Sequence, residues 1–191
     1  MKKIRQFSLL LTLGIILFSC TGTTKSDKPE KELSPQLAFF NQFKKFEGKK
    51  FLGKQVFIAE GMNSWAEEEL EMFVRECSDT VVYVPFRVGN NTSRTWMFIL
   101  ENGETLRFRH NHRHADGTPE DLNLYGGYAT SSGTEFMQIF PADDFTSNML
   151  ERIRDNEWTV EFSEDLNHFS YSLKKKGELV FKADFNLATA L

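Results

Sequence analysis

Three of the four histidines of the chain lie in one short segment, and their spacing suits the binding of a metal ion. The segment reads His110-Asn-His112-Arg-His114-Ala-Asp116. On a β-strand, residues at every second position project to one side, about 6.5–7 Å apart between Cα atoms. Imidazole nitrogens together with a carboxylate oxygen can hold a divalent metal. We therefore treat His110, His112, His114 and Asp116 as a candidate divalent metal site. The alternative is a polar strand end that turns at Asp116-Gly117.

An Asn-Gly pair upstream predicts the hairpin that positions these histidines. Asn102-Gly103 is typical of a two-residue type I′ turn, because both central positions of that turn require positive φ. Such a turn pairs Glu101 with Glu104 and, further along the strands, pairs position 99 with 106 and 97 with 108. The predicted faces depend on this register, since a slip of one residue moves a strand's side chains to the opposite face.

This register predicts which side chains share a face of the hairpin. The apolar face, which we expect to be the core face, carries Met97, Ile99, Leu106 and Phe108. The outer face carries Trp96, Phe98, Arg107 and Arg109, with Arg94 opposite Asn111, and the Arg109 guanidinium is expected to stack on the Trp96 ring. His110 and His112 keep the parity of the core face, which places them inside, at the end of the strand away from the turn.

Arginines also lie within apolar strand segments, at positions 75, 87 and 94. They form buried ion pairs with acidic residues, or they bind the acidic head group of a ligand, and the residues themselves leave both alternatives open. We take Arg94, Trp96, His110 and His112 as the candidate ligand-binding residues.

Beyond residue 50 the hydrophobic pattern repeats every second residue, which predicts β-strands. The candidate strands are 50–59, 69–77, 80–88, 93–101, 104–112, 122–129, 134–140, 157–163, 167–174 and 179–187. Turn-type residues separate them, among them Ser78-Asp79, Gly126-Gly127 and Lys176-Gly177. In the last three strands the alternation is clean. Trp158 and Val160 share one face of the strand 157–163, and Phe169 and Tyr171 share one face of the strand 167–174. The 19 phenylalanines also suit half-buried strands.

Short antiparallel strands at this spacing predict one mainly β domain over residues 34–191. We expect an antiparallel meander that closes into a small barrel resembling the lipocalin or streptavidin type, with a two-sheet sandwich as the second choice. Ser34-Pro35 predicts the start of a short helix over about 35–46, whose phenylalanines recur at helical spacing. Asp143 is expected to cap a second short helix near 144–153.

The N-terminus has the pattern of an export signal. Lys2, Lys3 and Arg5 precede an apolar stretch of about ten residues, which is too short for a membrane span of roughly 20. The stretch ends in Leu-Phe-Ser-Cys20, which resembles the lipobox of bacterial lipoproteins. That resemblance implies cleavage of a signal peptide at 1–19 and lipidation of Cys20, so the protein is expected to be lipid-anchored in the bacterial cell envelope.

The polar segment 20–33 is expected to be a disordered tether after the lipidated cysteine. Cys77 is then left without a partner in the chain, and we expect a small buried hydrophobe rather than a nucleophile. The net charge is −4, and loss of the signal peptide makes it more negative. An acidic protein does not bind nucleic acid through its overall charge, so a nucleic acid partner is not expected.

Several motifs in residues 50–187 resemble a family of secreted bacterial proteins of unknown function. They are Arg75-Glu76-Cys77, Ser93-Arg94-Thr95-Trp96, the histidine segment, Tyr125-Gly126-Gly127 and Phe140-Pro141-Ala142-Asp143. The resemblance implies one exported domain, and it carries no established activity.

Three functional hypotheses follow. The first is a membrane-anchored lipoprotein whose barrel binds a small apolar or amphiphilic ligand or cofactor at its mouth. The second is an envelope or surface interaction protein that has no small ligand. The third is a metal-binding protein or metal-dependent enzyme that uses His110, His112 and His114. The sequence contains no G-x-S-x-G, H-E-x-x-H, P-loop or C-x-x-C motif, so it points to no particular class of enzyme.

Overall fold

A computed structural model describes residues 33–191. The predicted signal peptide, Cys20 and almost all of the predicted tether lie outside the described residues. The helices are α1 (Pro35–Gln42) and α2 (Asp144–Met149), each followed by a short 3₁₀ turn, Phe43–Phe46 and Glu151–Ile153. The strands are β1 (Lys49–Ile58), β2 (Leu70–Val74), β3 (Glu76–Cys77), β4 (Val81–Val88), β5 (Asn91–Glu101), β6 (Thr105–His112), β7 (Tyr125–Tyr128), β8 (Met137–Pro141), β9 (Asn156–Phe162), β10 (His168–Lys175) and β11 (Glu178–Asn186).

The strands form one antiparallel sheet in the order β7-β6-β5-β4-β2-β1-β11-β10-β9-β8, and β3 pairs with β4. Its two edges approach each other, because the Thr130 amide donates to the Ile139 carbonyl at 2.9 Å and the Asp143 amide donates to the Gly126 carbonyl at 3.1 Å. The sheet is therefore a nearly closed barrel. This confirms the predicted mainly β fold, although the segment predicted as one strand over 69–77 is divided into β2 and β3.

Gly126 and Gly127 were expected to form a turn, and this prediction is wrong. They lie inside β7, where the barrel closes. A Cβ atom on Gly126 would overlap the carbonyl of Phe108 on β6, and one on Gly127 would overlap the carbonyl of Pro141 on β8. The two glycines thus allow neighbouring backbones to approach closely on both sides, which is a recognised use of glycine within strands.

The N-terminal helix fills one end of the barrel. Its start is fixed as predicted, since the Ser34 hydroxyl accepts a hydrogen bond from the Leu37 amide at 3.2 Å and proline follows the cap. The helix and its 3₁₀ turn insert four buried rings, which we call the phenylalanine plug: Phe39, Phe40, Phe43 and Phe46. Phe43 lies 4.6 Å from Phe98 and 5.0 Å from Phe162 between ring centroids, so the plug packs directly on inward-facing strand residues.

The hairpin register predicted from Asn102-Gly103 is wrong by one residue. Both residues have positive φ, and the Glu104 amide donates to the Glu101 carbonyl at 3.1 Å, so the expected tight turn does form. The ladder nevertheless pairs Glu101 with Thr105, which places one extra residue on the second strand. A bulge of this kind changes which residues lie opposite each other.

The shift exchanges the two faces of β5 and leaves those of β6 as predicted. Trp96, Phe98 and Leu100 are buried inside, whereas Met97 and Ile99, which were expected in the core, lie on the outer face and are only half-buried. The physical reason is apolar area, because the observed register buries the larger aromatic rings and burial is favourable in proportion to that area.

Candidate ligand-binding mouth

A cavity of about 520 Å³ opens at the end of the barrel opposite the phenylalanine plug. Its aromatic wall consists of Trp65, Tyr125, Trp158, Tyr171 and Phe181. Period-two geometry explains this arrangement. The inward positions of β9, β10 and β11 carry Phe162, Phe169 and Phe185 toward one end, and Trp158, Tyr171 and Phe181 toward the other. The volume lies within the usual range for small-molecule pockets, about 300–1,000 Å³.

The loop between β1 and β2 contributes one wall of the cavity through Trp65. The Trp65 amide donates to the Gln55 side-chain oxygen at 2.7 Å, and this bond holds the loop against β1. The Trp65 ring lies 5.0 Å from Phe181 and 5.9 Å from Phe86 between centroids. The Gln55 side chain also donates to the Ser64 hydroxyl at 3.1 Å, so this loop is fixed by hydrogen bonds to one β1 side chain and by aromatic packing.

His110 is buried in the wall beneath this cavity and is held in an aromatic box. Its ring stacks on Tyr125 with centroids 4.4 Å apart, its Nε2 lies 3.0 Å from the Tyr171 hydroxyl, and its Nδ1 lies 3.2 Å from the Tyr125 carbonyl. Burial, followed by the neighbouring His112, lowers the pKa of His110 to about 3. The imidazole is therefore neutral at pH 7 and donates one hydrogen bond while accepting another.

His112 connects the wall to the loop that follows β6. Its Nε2 lies 3.2 Å from the Tyr125 hydroxyl, and its Nδ1 lies 3.5 Å from a Glu120 carboxylate oxygen. Burial and then the charge of Arg94 lower the pKa of His112, while Glu120 acts in the opposite direction. Burial raises the pKa of Tyr125 to about 12, so its hydroxyl stays protonated and can donate hydrogen bonds. A phenol of this kind orients polar groups and is not activated as a nucleophile.

Arg94 lies on the inner side of β5, opposite His112, and not on the outer face opposite Asn111, where the predicted register placed it. Its guanidinium carbon lies 5.3 Å from the centre of the Trp65 ring. Its Nη1 is buried and forms no hydrogen bond with any described residue. A buried donor without a partner costs about 1–3 kcal/mol, and such groups in folded proteins need an explanation. Arg107 and Arg109 each also have one buried nitrogen without a partner, but both bind a carboxylate through another nitrogen.

The other arginines singled out from the sequence are satisfied structurally. Arg87 binds Glu69 at 2.5 Å and Glu71 at 3.2 Å, and Arg75 lies on the outside over the Tyr83 ring at 5.3 Å. Of the two alternatives drawn from the sequence, ion pairing therefore holds for Arg87. Among the described residues, Arg94 has no carboxylate partner.

Trp96 does not lie on the outer face beneath Arg109, as the predicted register implied. It is buried in the layer between the plug and the cavity, stacked on Phe86 at 4.6 Å and on Tyr171 at 4.8 Å. Arg109 lies on the outer side, where it forms a buried ion pair with Asp143 under the Phe145 ring. Trp96 thus supports the wall from behind and does not line the cavity.

Asp143 joins the ion pair to the closing seam of the barrel. It caps α2 as predicted, because its Oδ1 accepts from the Thr146 amide at 3.0 Å. The Thr146 hydroxyl in turn donates to the Gly126 carbonyl on β7 at 2.7 Å. Burial acts to raise the pKa of Asp143, but the hydrogen bonds from Arg109 and Thr146 outweigh it and lower that pKa.

The four residues of the candidate metal set are not brought together. His110 and His112 share the inner face of β6, whereas His114 and Asp116 are exposed in the turn that follows. Asp116 accepts from the Thr118 amide at 2.9 Å and Gly117 has positive φ, which is the turn given above as the alternative. Within residues 33–191, no three side chains of His, Cys, Asp or Glu are placed to hold one metal ion.

Cys77 is half-buried against the core and has no cysteine partner among the described residues. Burial, and then the nearby Glu47, raise the pKa of its thiol to about 11. The group is therefore a thiol at pH 7, which agrees with a packing role and not with a reactive one.

None of the helices in the described part of the chain has the length and apolar composition that a membrane crossing needs.

None of the four ligand-binding residues predicted from the sequence lines the cavity. Arg94, His110, His112 and Trp96 lie behind its wall, and their role in binding stays a prediction. The alternation of the last strands placed the lining residues Trp158 and Tyr171 on regular faces. Trp65 and the cations Arg152 and Lys175 carried no signal, because their place at the mouth depends on loops and on closure of the barrel.

Comparison of the chain with family models, with curated proteins and with solved structures gives no match. The resemblance to secreted bacterial proteins of unknown function therefore stays a prediction from the motifs.

Proposed function

We propose that this chain is a lipid-anchored protein of the bacterial cell envelope whose barrel binds one small amphiphilic ligand at its open mouth. The observation that carries the proposal is the aromatic cavity of about 520 Å³ opposite the phenylalanine plug. Apolar walls with a few convergent polar groups are the usual make-up of small-molecule sites. A solid interior would instead have favoured an interaction protein without a ligand.

The ligand is amphiphilic because the cavity has two kinds of surface. Trp65, Leu173 and Val180 line the cavity and are only half-buried, so they offer apolar area to an alkyl or ring system. The Tyr125 hydroxyl and the Asn63 and Asn156 amides offer hydrogen bonds near the opening. Burial of the apolar part drives binding, and the polar groups fix its orientation.

The binding test uses the neutral fluorophore N-phenyl-1-naphthylamine, whose emission rises in apolar surroundings. The chain has three tryptophans, and all of them lie in the cavity wall or directly behind it, so energy transfer from tryptophan also reports binding there. We expect saturable binding of one equivalent with a Kd in the micromolar range. Absence of saturable binding would overturn the proposed function.

A matched pair of variants localises the bound probe. Leu173→Trp fills the cavity from β10, whereas Leu179→Trp adds the same bulk on β11 at a position that does not line it. We expect the first variant to lose binding of the probe at least tenfold and the second to retain it. Mass spectrometry of small molecules that copurify from the native host would then identify the physiological ligand.

The anchoring part of the proposal rests on the sequence of residues 1–20. Metabolic labelling with radioactive palmitate should modify the wild-type protein and not a Cys20→Ala variant. Cell fractionation should find the labelled protein with the membranes. Labelling that persists in Cys20→Ala would exclude this residue as the lipidation site and would leave the ligand hypothesis untouched.

A further inference from the structure

The mouth of the barrel is positively charged, in contrast to the chain as a whole. Acidic residues outnumber lysine and arginine by 27 to 23. The cavity is nevertheless lined by two cations, Arg152 and Lys175, and by no aspartate or glutamate of the described chain. No carboxylate among residues 33–191 forms an ion pair with either of them. The cavity therefore attracts anions in a protein that overall repels them.

Arg94 adds a third positive charge behind the same wall. Its guanidinium lies over Trp65, which lines the cavity, and its Nη1 has no hydrogen-bond partner in the described structure. The charges of Arg94, Glu120 and Arg152 all act on the hydroxyl of Tyr125, and Tyr125 lines the cavity. Three cations without carboxylate partners thus share one region of the mouth.

The neighbouring polar groups do not neutralise this charge. His110 and His112 have lowered pKa values and are neutral at pH 7, so they neither add to the positive charge nor cancel it. The Glu120 carboxylate binds His112 at 3.5 Å and does not line the cavity. The charged side chains that line the cavity are both cations, so the surface that a ligand meets is positive.

We infer that the ligand carries a negatively charged head group, a carboxylate or phosphate on a single apolar chain. The chain lies against the aromatic wall, and the head group lies beside Trp65 within the field of Arg94, Arg152 and Lys175. This inference rests on the proposed function and adds to it the charge of the ligand. Charge-assisted hydrogen bonds from guanidinium groups to such anions are stronger than those between neutral groups.

The test compares ligands that differ only in the head group. Dodecanoate, dodecyl phosphate, dodecanol and dodecylamine are titrated against the full chain at pH 7.5 in low salt, below their micelle-forming concentrations, by displacement of N-phenyl-1-naphthylamine. We expect at least one anion to bind about tenfold more tightly than dodecanol, and dodecylamine to bind more weakly than dodecanol. Tighter binding of dodecanoate would indicate a free fatty acid as the ligand, and tighter binding of dodecyl phosphate would indicate a phospholipid product. Added salt should reduce the preference.

Variants then assign the charge to the mouth. Arg94→Gln and the double variant Arg152→Gln/Lys175→Gln should each reduce the ratio of anion affinity to dodecanol affinity at least threefold. Arg154→Gln removes an exposed arginine two residues from Arg152 that does not line the cavity, and it is expected to bind as the wild type does. Arg94→Lys should recover part of the preference. If circular dichroism shows that Arg94→Gln does not fold, the double variant tests the inference alone, because Arg152 is exposed and Lys175 is half-buried.

Two outcomes separate this inference from the proposed function. Equal binding of dodecanol and both anions, or a preference unchanged in the variants, would overturn the negative head group and leave amphiphile binding standing. No displacement of the probe by any of the four compounds would overturn both.

Discussion

The two ends of the barrel are built from the same kind of side chain and are used differently. At one end, Phe43 of the phenylalanine plug fits among Phe98, Phe162 and Phe169 with no exposed surface. At the other end, Trp158 and Tyr171 stand next to an open cavity. The difference lies in what the described chain inserts, because a helix fills the first end and only a loop reaches over the second.

The comparison shows how aromatic residues can serve stability and recognition in one core. Rings that are packed on all sides contribute their full apolar area and dispersion contacts to folding. At the mouth, Trp65 and Tyr125 are only half-buried, and the uncovered part of their apolar area remains for a ligand to bury. Polar groups also lie between the rings at this end, such as the His110 imidazole with its two hydrogen-bond partners. The packing there is therefore not purely apolar.

The largest expected effect is at the plugged end. Phe43→Ala should lower the free energy of unfolding by about 3–5 kcal/mol, because it leaves a cavity among rings that cannot collapse into it. Urea denaturation followed by circular dichroism measures this loss. Phe145→Ala is the matched control, since Phe145 is 54% exposed, and it should cost less than about 1 kcal/mol. A loss below about 2 kcal/mol for Phe43→Ala would contradict a tightly packed plug.

The second prediction concerns pH and the mouth. The pKa of His110 is lowered to about 3, whereas that of an unfolded histidine is about 6.5. Between these values the unfolded chain binds a proton that the folded chain refuses, so the free energy of unfolding falls as pH is lowered. Comparison with His110→Gln isolates this contribution, which should change by about 2 kcal/mol between pH 7 and pH 5.

The measurement is a series of urea titrations of both proteins across that pH range. His114→Gln, at an exposed position outside the barrel, is the matched control for loss of a histidine. A stability difference between wild type and His110→Gln that does not vary with pH would show that the imidazole can be protonated in the folded barrel.

The third prediction separates stability from binding at the loop. Trp65→Ala should cost less than half of the stability lost in Phe43→Ala, because the Trp65 ring is packed on one side by Phe181 and faces the cavity on another. The same variant should weaken binding of N-phenyl-1-naphthylamine at least fivefold. If binding were unchanged while stability fell as far as in Phe43→Ala, Trp65 would belong to the core and not to the site.

The smallest expected effect comes from one hydroxyl. Tyr171→Phe keeps the stack on Trp96 and removes the hydrogen bond to His110 Nε2, so the free energy of unfolding should fall by about 1 kcal/mol. Thermal or urea unfolding at pH 7.5 measures it. A stabilised Tyr171→Phe variant would show that the imidazole nitrogen finds another partner at the mouth.

Much of the barrel could be predicted because strand patterns are local. The bounds of β4, β9 and β10 follow from alternation along each segment, and the caps at Ser34 and Asp143 follow from residue type and the next few positions. The face assignment of β5 could not be read in the same way. It depended on a single extra residue after the Asn102-Gly103 turn, and the sequence around a turn does not fix whether such a bulge forms.

The candidate site divides along the same line. Local sequence selected Arg94, His110 and His112 because all three lie in one hairpin, but it assigned inward parity only to the two histidines of β6 and placed Arg94 of β5 on the outer face. It could not show that His114 and Asp116 leave the strand, because that depends on where the ladder ends. It also could not show that Trp65 meets Arg94, since 29 positions of chain separate them and only the packing of a loop on the barrel joins them.

The sequence by itself determined the class of fold and the short helices, because periodicity and caps are read from neighbours along the chain. The export signal is read in the same local way and stays a prediction. The tertiary structure alone decided which strand faces turn inward, that the barrel nearly closes at Gly126 and Gly127, and that one end stays open. Those features depend on contacts between segments that are far apart in the sequence. These contacts form only when the whole sheet is assembled.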